Sequence, residues 1–386
     1  MNDQRIYLDH AATTPCRPEA VEAMLPLLNG AADNPSSLHT EGRRARAVVD
    51  DARQRVAAVL RVHPREIVFT AGGSEANNLA IFGVARALRG RHLVTAATEH
   101  HSVLRAMEAL HEEGWSLTVL PVDRAGRVDP DAFADALRDD TVLASIALAN
   151  NEIGTVAPVG MLAAIARRRG VLFHTDAVQA PGWLPLGADE LGVDLLSLSA
   201  HKCYGPKGAG VLYIRAGTRL VPAIVGGAQE GGRRAGTENV AAIAGLATAL
   251  ELAERERPET TERVGRLRAQ LEDGIRCAVP DAVVHGEGAE RLAKIVNVGF
   301  PRVESAALLV RLDLAGIAAS SASACSSGAA QPSHVIAALG PPAQPRGAVR
   351  LSLGRTTTTA EIDEVIARLP AMVEGVRDFP ELVGTS

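Results

Sequence analysis

The sequence predicts an α/β protein whose large domain holds a mostly parallel seven-stranded sheet, accompanied by a smaller α+β domain. Three observations carry this. The chain has 386 residues, of which 47% are hydrophobic, enough for a sizeable core and for two domains. From about residue 65, short apolar runs alternate with helical patterns, the signature of parallel strands joined by helical crossovers. Beyond Arg257 and Pro258 the pattern changes to one of sparser strands and helices.

Along the chain, Ala45, Val48, Val49, Ala52, Val56, Val59 and Leu60 recur at helical spacing and leave Arg and Asp on the other face, which predicts an amphipathic helix packed on a sheet. Strands are expected at 66–70, 92–96, 116–120, 142–148, 171–174, 195–199 and 211–214, with helices at 75–88, 103–112 and 158–169. A charged stretch at Arg257-Pro258 follows a long Ala-rich helix and precedes an amphipathic one at 264–276, so a break and a domain boundary are expected there. After it come strands near Val283, at 294–299 and at 348–353, and helices at 304–314, 334–338 and 360–369. No internal repeat, low-complexity tract or like-charge block is evident, which gives tails and linkers no support.

Composition excludes several classes of function. Forty basic residues against forty-five acidic ones give a formal charge of -5, so no whole-molecule field draws the chain to nucleic acid or to an anionic membrane. Aromatic residues at 3% weaken base stacking further. No apolar run approaches the ~18 residues of a membrane span, and the acidic start, Met1-Asn-Asp3, does not read as a secretory signal. Cys16, Cys203, Cys277 and Cys325 stand singly with no C-x-x-C, which argues against a disulfide framework or an intrinsic metal site. A reducing, cytoplasmic setting is expected.

Four segments carry candidate chemistry. Thr70-Ala-Gly-Gly73-Ser74-Glu-Ala-Asn-Asn lies between a strand and a helix, where glycines and a helix N-terminus can cradle an anion. The plain alternative is a Gly-rich turn with Ser74 as N-cap, and taken alone it is favoured. His174-Thr-Asp176-Ala-Val-Gln179 ends an apolar strand, the edge at which open α/β sheets bind ligands; a capping aspartate is the equal alternative. Ser197-Leu-Ser199-Ala-His201-Lys202-Cys203-Tyr-Gly205 puts a lysine directly after a buried strand. Such an amine can have a depressed pKa and form a Schiff base. A surface lysine is the alternative, weakened by Asp176 one strand upstream, because an acid and a lysine on adjacent strand ends suit pyridoxal phosphate. Finally, Cys325 sits in a long run of Ser, Ala and Gly, about 318–332, with no bulky apolar neighbour. That composition favours a loop thiol with chemistry over a packed one.

These residues resemble the NifS and IscS-like cysteine desulfurases of the class V pyridoxal phosphate enzymes. The likeness rests on an ordered set: Tyr7-Leu-Asp-His-Ala-Ala-Thr-Thr-Pro15, Asn34-Pro-Ser-Ser-Leu-His39, Thr98-Glu-His100-His-Ser-Val103, Ala149-Asn-Asn151-Glu-Ile-Gly154, the Asp176, Lys202 and Cys325 segments, Gly236-Thr237-Glu-Asn239 and Val349-Arg350-Leu-Ser-Leu-Gly354. The resemblance implies the aspartate-aminotransferase-like, fold type I architecture. Residues 15–257 would form the large cofactor domain, and 1–14 with 258–386 the small domain carrying the cysteine loop.

It further implies that Lys202 holds pyridoxal 5'-phosphate covalently and moves protons, that Asp176 pairs with the ring nitrogen, and that His100 stacks on the ring and acts in acid/base steps. Asn151 and Gln179 would bond the phenolic oxygen side. Gly73, Ser74, Ser199 and His201 would hold the phosphate, and Thr237 would reach the phosphate of the neighbouring subunit in a homodimer. Arg350 would pair bidentately with the substrate carboxylate, with Asn34 and Asn151 as further substrate contacts. Cys325 would take sulfur from L-cysteine as a persulfide, leave L-alanine, and pass the sulfur to an acceptor or iron-sulfur scaffold, on which it could transiently ligate a cluster. The alternatives are a selenocysteine lyase or other class V enzyme, and a sulfur-carrier or scaffold-binding protein on a retired fold. The joint presence of Lys202, Asp176, His100 and Arg350 argues against retirement. Ala322 replaces a glycine of the usual loop, and Cys203 is read as a small packing residue.

Overall fold

The structure is a computed structural model that describes residues 5–29, 34–321, 333–343 and 346–378. The chain enters through a short strand, β1 (Ile6–Tyr7), and two helices, α1 (Pro18–Leu28) and α2 (Thr40–Leu60). It continues as β2 (Ile67–Thr70), α3 (Gly73–Ala87), β3 (His92–Ala96), α4 (His101–Glu112), β4 (Ser116–Leu120), α5 (Pro130–Ala136) and β5 (Thr141–Ser145). Then come α6 (Val159–Arg168), β6 (Leu172–Asp176), α7 (Ala188–Leu191), β7 (Leu195–Ser199) and β8 (Gly210–Ile214).

β2 to β8 form one seven-stranded sheet in the order β2-β8-β7-β6-β5-β3-β4. β8 runs antiparallel to both of its neighbours and every other pairing is parallel. The C-terminal ends of β2, β3, β5, β6 and β7 therefore open on one edge. The chain steps from β3 outward to β4 and then back past β3 to β5, a reversal that leaves a crevice for ligands at that edge. The strands are apolar because helices cover both faces, and each fully buried Leu, Ile or Val there contributes roughly 1.5–3 kcal/mol. Buried polar residues inside the sheet are paired with one another: His174 on β6 lies 2.7 Å from Ser145 Oγ and 2.9 Å from Ser197 Oγ.

α8 (Val240–Ala278) leaves the large sheet, followed by β9 (Val283–Val284), β10 (Ile295–Gly299), α9 (Ser305–Leu314), β11 (Ile317–Ala318), β12 (Ser320–Ser321), α10 (His334–Ala338), β13 (Ala348–Ser352) and α11 (Thr359–Arg377). β12-β13-β10-β9 is an antiparallel sheet, and β11 pairs in parallel with β1. The expected break at Pro258 does not exist, since α8 is one helix with Pro258 inside it. Each half of α8 buries its stripe in a different core: Ala242 to Ala253 join the cluster around the large sheet, and Val264 to Ile275 join the one around the small sheet with Ile6, Leu8 and Ala11. Burial at both ends outweighs the ~3 kcal/mol that an interior proline costs.

Three helices were not anticipated, α1, α5 and the single turn α7; α1 and α5 begin at a proline, Pro18 and Pro130, a residue favoured at the first helical position. The first residues of the loop expected from about 318 are strand instead: Ala318 pairs with Tyr7, and Ser320 and Ser321 pair with β13. Cys325 and Ala322 lie outside the described residues. No helix among the described residues is long and apolar enough to cross a membrane.

Candidate active site

A cavity of about 400 Å³ opens at the carboxyl edge of the large sheet. Ten of the residues singled out from the sequence line it: Gly73, Ser74, His100, Asn151, Asp176, Gln179, Ser199, His201, Lys202 and Arg350. They arrive from five strand ends, and from β13 of the small sheet in the case of Arg350. The N-terminal segment stitches the two sheets together there. Ser352 donates its backbone N–H to Leu8, and His10 donates to Ser352, which brings Ala11 and Ala12 to the cavity wall.

Asp176 ends β6 and is buried. Its Oδ1 accepts from the backbone N–H of Val178 at 2.9 Å, and its Oδ2 from Asn77 Nδ2 at 2.7 Å. Lys202 follows β7, and its Nζ donates to the carbonyl oxygens of Ala11 and Ala12 at 2.7 and 2.6 Å. His201 beside it is held neutral, its pKa pushed down to about 4 by burial and by the cations of Lys202 and Lys207. Cys203 is buried and its thiol is pushed up to about 12 by desolvation, the state of an inert packing residue and not of a nucleophile.

At the N-terminus of α3 the cap is Gly72, with no side-chain capping bond. Ser74 is therefore not the N-cap, and its hydroxyl remains at the cavity. The cradle needs Gly73: a Cβ there would meet Val178 Cγ2 at 2.7 Å, a stiff β-branched neighbour. The open N–H groups and partial positive charge of this first turn suit a phosphate. His100 caps α4, its Nδ1 accepting from the Ser102 N–H at 3.1 Å. Arg350 is held by Asp9 at 3.0 Å and by the backbone oxygen of Asn151 at 2.9 Å.

Asn34, expected as a substrate contact, is not at this cavity, and neither is Thr237, expected at the neighbouring subunit's site. Asn34 is exposed and its Oδ1 accepts from the Ser36 N–H at 2.9 Å, an Asx turn that uses up the side chain locally. Thr237 lines a separate 160 Å³ pocket with Phe69, Glu230 and Arg234. Sequence reasoning missed Asn77, Thr98, Ser102 and Asn150, which also line the cavity. A signal existed for Asn77, which lies four residues after Gly73 on the same helical face and is the polar member of a buried stripe with Ala80, Ile81 and Val84. It also missed Lys294, fully buried with no hydrogen-bond partner, its Nζ 5.4 Å from the Trp183 ring centroid. Burial, and secondarily the charge of Lys202, pushes that amine well below its ordinary pKa.

The polar groups fit pyridoxal phosphate. Gln179 Oε1, Asn77 Oδ1 and Arg350 Nε are buried side-chain atoms of cavity residues without a partner among the described residues, and unsatisfied polar atoms are expected where a polar ligand belongs. An acid at the floor, a lysine beside it and an anion cradle complete the donor set.

The Aminotransferase class-V family profile matches residues 6–365. The chain is 46% identical over 377 residues to the cysteine desulfurase IscS of Dictyoglomus turgidum, covering 97% of this chain and 96% of that one. A solved structure of a NifS-like protein superposes with a TM-score of 0.90 at 35% identity, covering 96% of this chain and 100% of the other. Another, a protein named SspA in complex with cysteine, gives a TM-score of 0.80 at 34% identity over 92% of this chain and 100% of that one. The chain belongs to the class V aminotransferase family and, within it, to the pyridoxal phosphate-dependent cysteine desulfurases of the IscS and NifS kind.

Proposed function

We propose that this enzyme removes sulfur from L-cysteine, releases L-alanine and carries the sulfur as a persulfide on Cys325 to an acceptor that builds iron-sulfur clusters or other thio-cofactors. The observation that carries the reading is the convergence of ten predicted residues on one cavity. A related solved structure holding cysteine supports the substrate class.

Gly73, Ser74, Ser199 and His201 would hold the cofactor phosphate, and Lys202 would bind the cofactor covalently through Nζ. When bound, pyridoxal phosphate supplies an electron sink that weakens bonds at the substrate Cα. Asp176 stands as the acid for the ring nitrogen, braced by Asn77 and the Val178 N–H. Lys202 Nζ, released once substrate binds, moves the proton at Cα. Its resting contacts to Ala11 and Ala12 keep the amine in place for that work. Arg350 would orient the substrate carboxylate through its partnerless Nε, with Asn151 beside it. The Cys325 thiolate would attack the substrate sulfur: one S–S bond forms as the Cβ–S bond breaks, and the electron pair of that bond goes to the carbon skeleton that leaves as alanine.

A homodimer in which Thr237 completes the partner's phosphate site is part of this reading, supported by the position of Thr237 outside its own chain's cavity. Exposed Leu28, Leu38 and Val225 offer apolar surface for a second copy to cover. A cytoplasmic location fits a thiol that must stay reduced.

The test is persulfide formation from L-cysteine, with selenocysteine as competitor. Wild-type protein should show the visible absorption of a lysine-bound cofactor and accumulate persulfide. Lys202→Ala should abolish that absorption, and Cys325→Ser should keep it while losing persulfide. Unchanged sulfide release by Cys325→Ser would refute the persulfide route.

A further inference from the structure

Asp176 and His100 are joined through two side chains, Asn77 and Ser102. Asn77, one turn into α3, donates one amide hydrogen to Asp176 Oδ2 at 2.7 Å and the other to Ser102 Oγ at 2.8 Å. Ser102 Oγ lies 2.8 Å from His100 Nδ1. Together these three contacts form a continuous line from the acid to the imidazole.

The polarity of that line follows from the chemistry of its members. A carboxylate only accepts, so Asn77 turns its NH2 toward Asp176. The price is a buried Asn77 Oδ1 with no partner, and turning the amide over would set that oxygen against the carboxylate. Because the same NH2 also meets Ser102, the hydroxyl accepts there and keeps its single proton for His100 Nδ1. The backbone N–H of Ser102 points at the same nitrogen from 3.1 Å. With two donors aimed at it, Nδ1 carries no hydrogen, and the proton of the neutral ring resides on Nε2.

We propose that Asn77 and Ser102 are positioning residues that transmit the charge of Asp176 to His100 and hold its ring as the neutral Nε2–H tautomer. This rests on the reading of Asp176 and His100 as groups facing the cofactor, and it deepens that reading. The acid/base work of His100 must then pass through Nε2, since Nδ1 is committed to the helix cap and the relay. The line also ties together two strand ends that a ligand would otherwise meet independently. α3 brings Asn77 and α4 brings Ser102, so the alignment of the two helices sets the alignment of acid and imidazole.

The test uses the cofactor-loaded enzyme as purified, without substrate, labelled with imidazole-15N histidine. His100 is assigned by the signal lost in His100→Gln. The expected spectrum has a bare Nδ1 and a protonated Nε2. Ser102→Ala leaves Nδ1 with the backbone donor alone, so it should shift the His100 Nδ1 signal and lower kcat by about tenfold, a fraction of the ~10²–10⁴ that acid/base steps supply, with the KM for L-cysteine within about twofold. Ser102→Thr, which keeps the hydroxyl, should restore both, and Asn77→Leu should act as Ser102→Ala does. A protonated Nδ1 in the wild type overturns the proposal. So do His100 nitrogen signals that are unchanged in Ser102→Ala protein that keeps its cofactor absorption. Because the nitrogen signals are read without turnover, this outcome is separate from the persulfide assay: either can fail while the other stands.

Discussion

The guanidinium of Arg350, 3% exposed at its side chain, is clamped between Asp9 at 3.0 Å and the backbone oxygen of Asn151. Asp9 comes from the N-terminal segment and Asn151 from the turn after β5, so the placement of this guanidinium depends on three distant parts of the chain. A planar fork fixed on one side has its remaining donors aimed, and a lysine ammonium in its place has no such geometry. Arg350→Lys is expected to raise the KM for L-cysteine by about 10–100-fold, the loss of one charge-assisted contact of roughly 1.5–3 kcal/mol, with a smaller fall in kcat. A collapse of kcat at unchanged KM would assign Arg350 to the chemical step instead.

Thr237 gives a prediction about assembly. If it serves the partner's site, Lys202→Ala and Thr237→Ala are each defective alone. A hybrid dimer of the two has one site with an intact lysine and an intact threonine. Refolding or co-expressing the two variants should then recover about a quarter of wild-type activity, because about half the dimers are hybrids and each has one sound site. No recovery at all places Thr237 in its own subunit's site or outside catalysis.

Lys294 is a buried amine over Trp183 with no acceptor. Its folded pKa is depressed by burial, so below about pH 10.4 the unfolded chain binds a proton that the native chain does not. Stability contributed at this site therefore rises with pH through that window. Lys294→Met fills the same space without the amine and should stabilise the protein by about 1–4 kcal/mol at neutral pH, with the gain shrinking as pH rises. Denaturant unfolding at several pH values reads both effects, and a destabilised Lys294→Met would show that the amine has a partner.

Glu99 behaves in the opposite sense. Burial, with a further push from Asp176, raises its carboxyl to about 8, against the lowering effect of the Ala147 N–H. The native chain thus keeps a proton that the unfolded chain releases near pH 4.3. Stability falls as pH rises from about 4.3 to about 8, by up to roughly 1.4 kcal/mol per pH unit. Glu99→Gln mimics the protonated carboxyl and should remove that slope, so its advantage over wild type grows between pH 5 and 8 in unfolding titrations. Parallel pH profiles for the two proteins would contradict a protonated Glu99.

Much of the site was legible because its chemistry is local in sequence. Gly73 and Ser74 sit where a strand meets a helix, and Asp176 and Lys202 sit at or just after strand ends, positions that apolar periodicity locates without knowledge of the fold. What escaped were the residues whose meaning is a contact: Asn77 looked like any polar residue on a helix until it met Asp176 and Ser102, and Lys294 stood only as the first residue of an expected strand. The break expected at Pro258 failed for the same reason, since the burial of two separate faces of α8 is decided by cores that no window of sequence contains.

The sequence by itself determined the strand and helix alternation and the isolation of four cysteines, and it singled out Asp176, Lys202, Gly73, Ser74 and Arg350 as candidates. Tertiary structure decided which of these face one cavity, that Asn34 turns into its own loop while Thr237 stands at a different pocket, and that Cys203 is an inert buried thiol. The division has a physical cause. Periodicity and turn chemistry act over a few residues and are written in the local order of side chains. Burial, the direction of a hydrogen bond and the field at a titrating group depend on neighbours tens to hundreds of residues away.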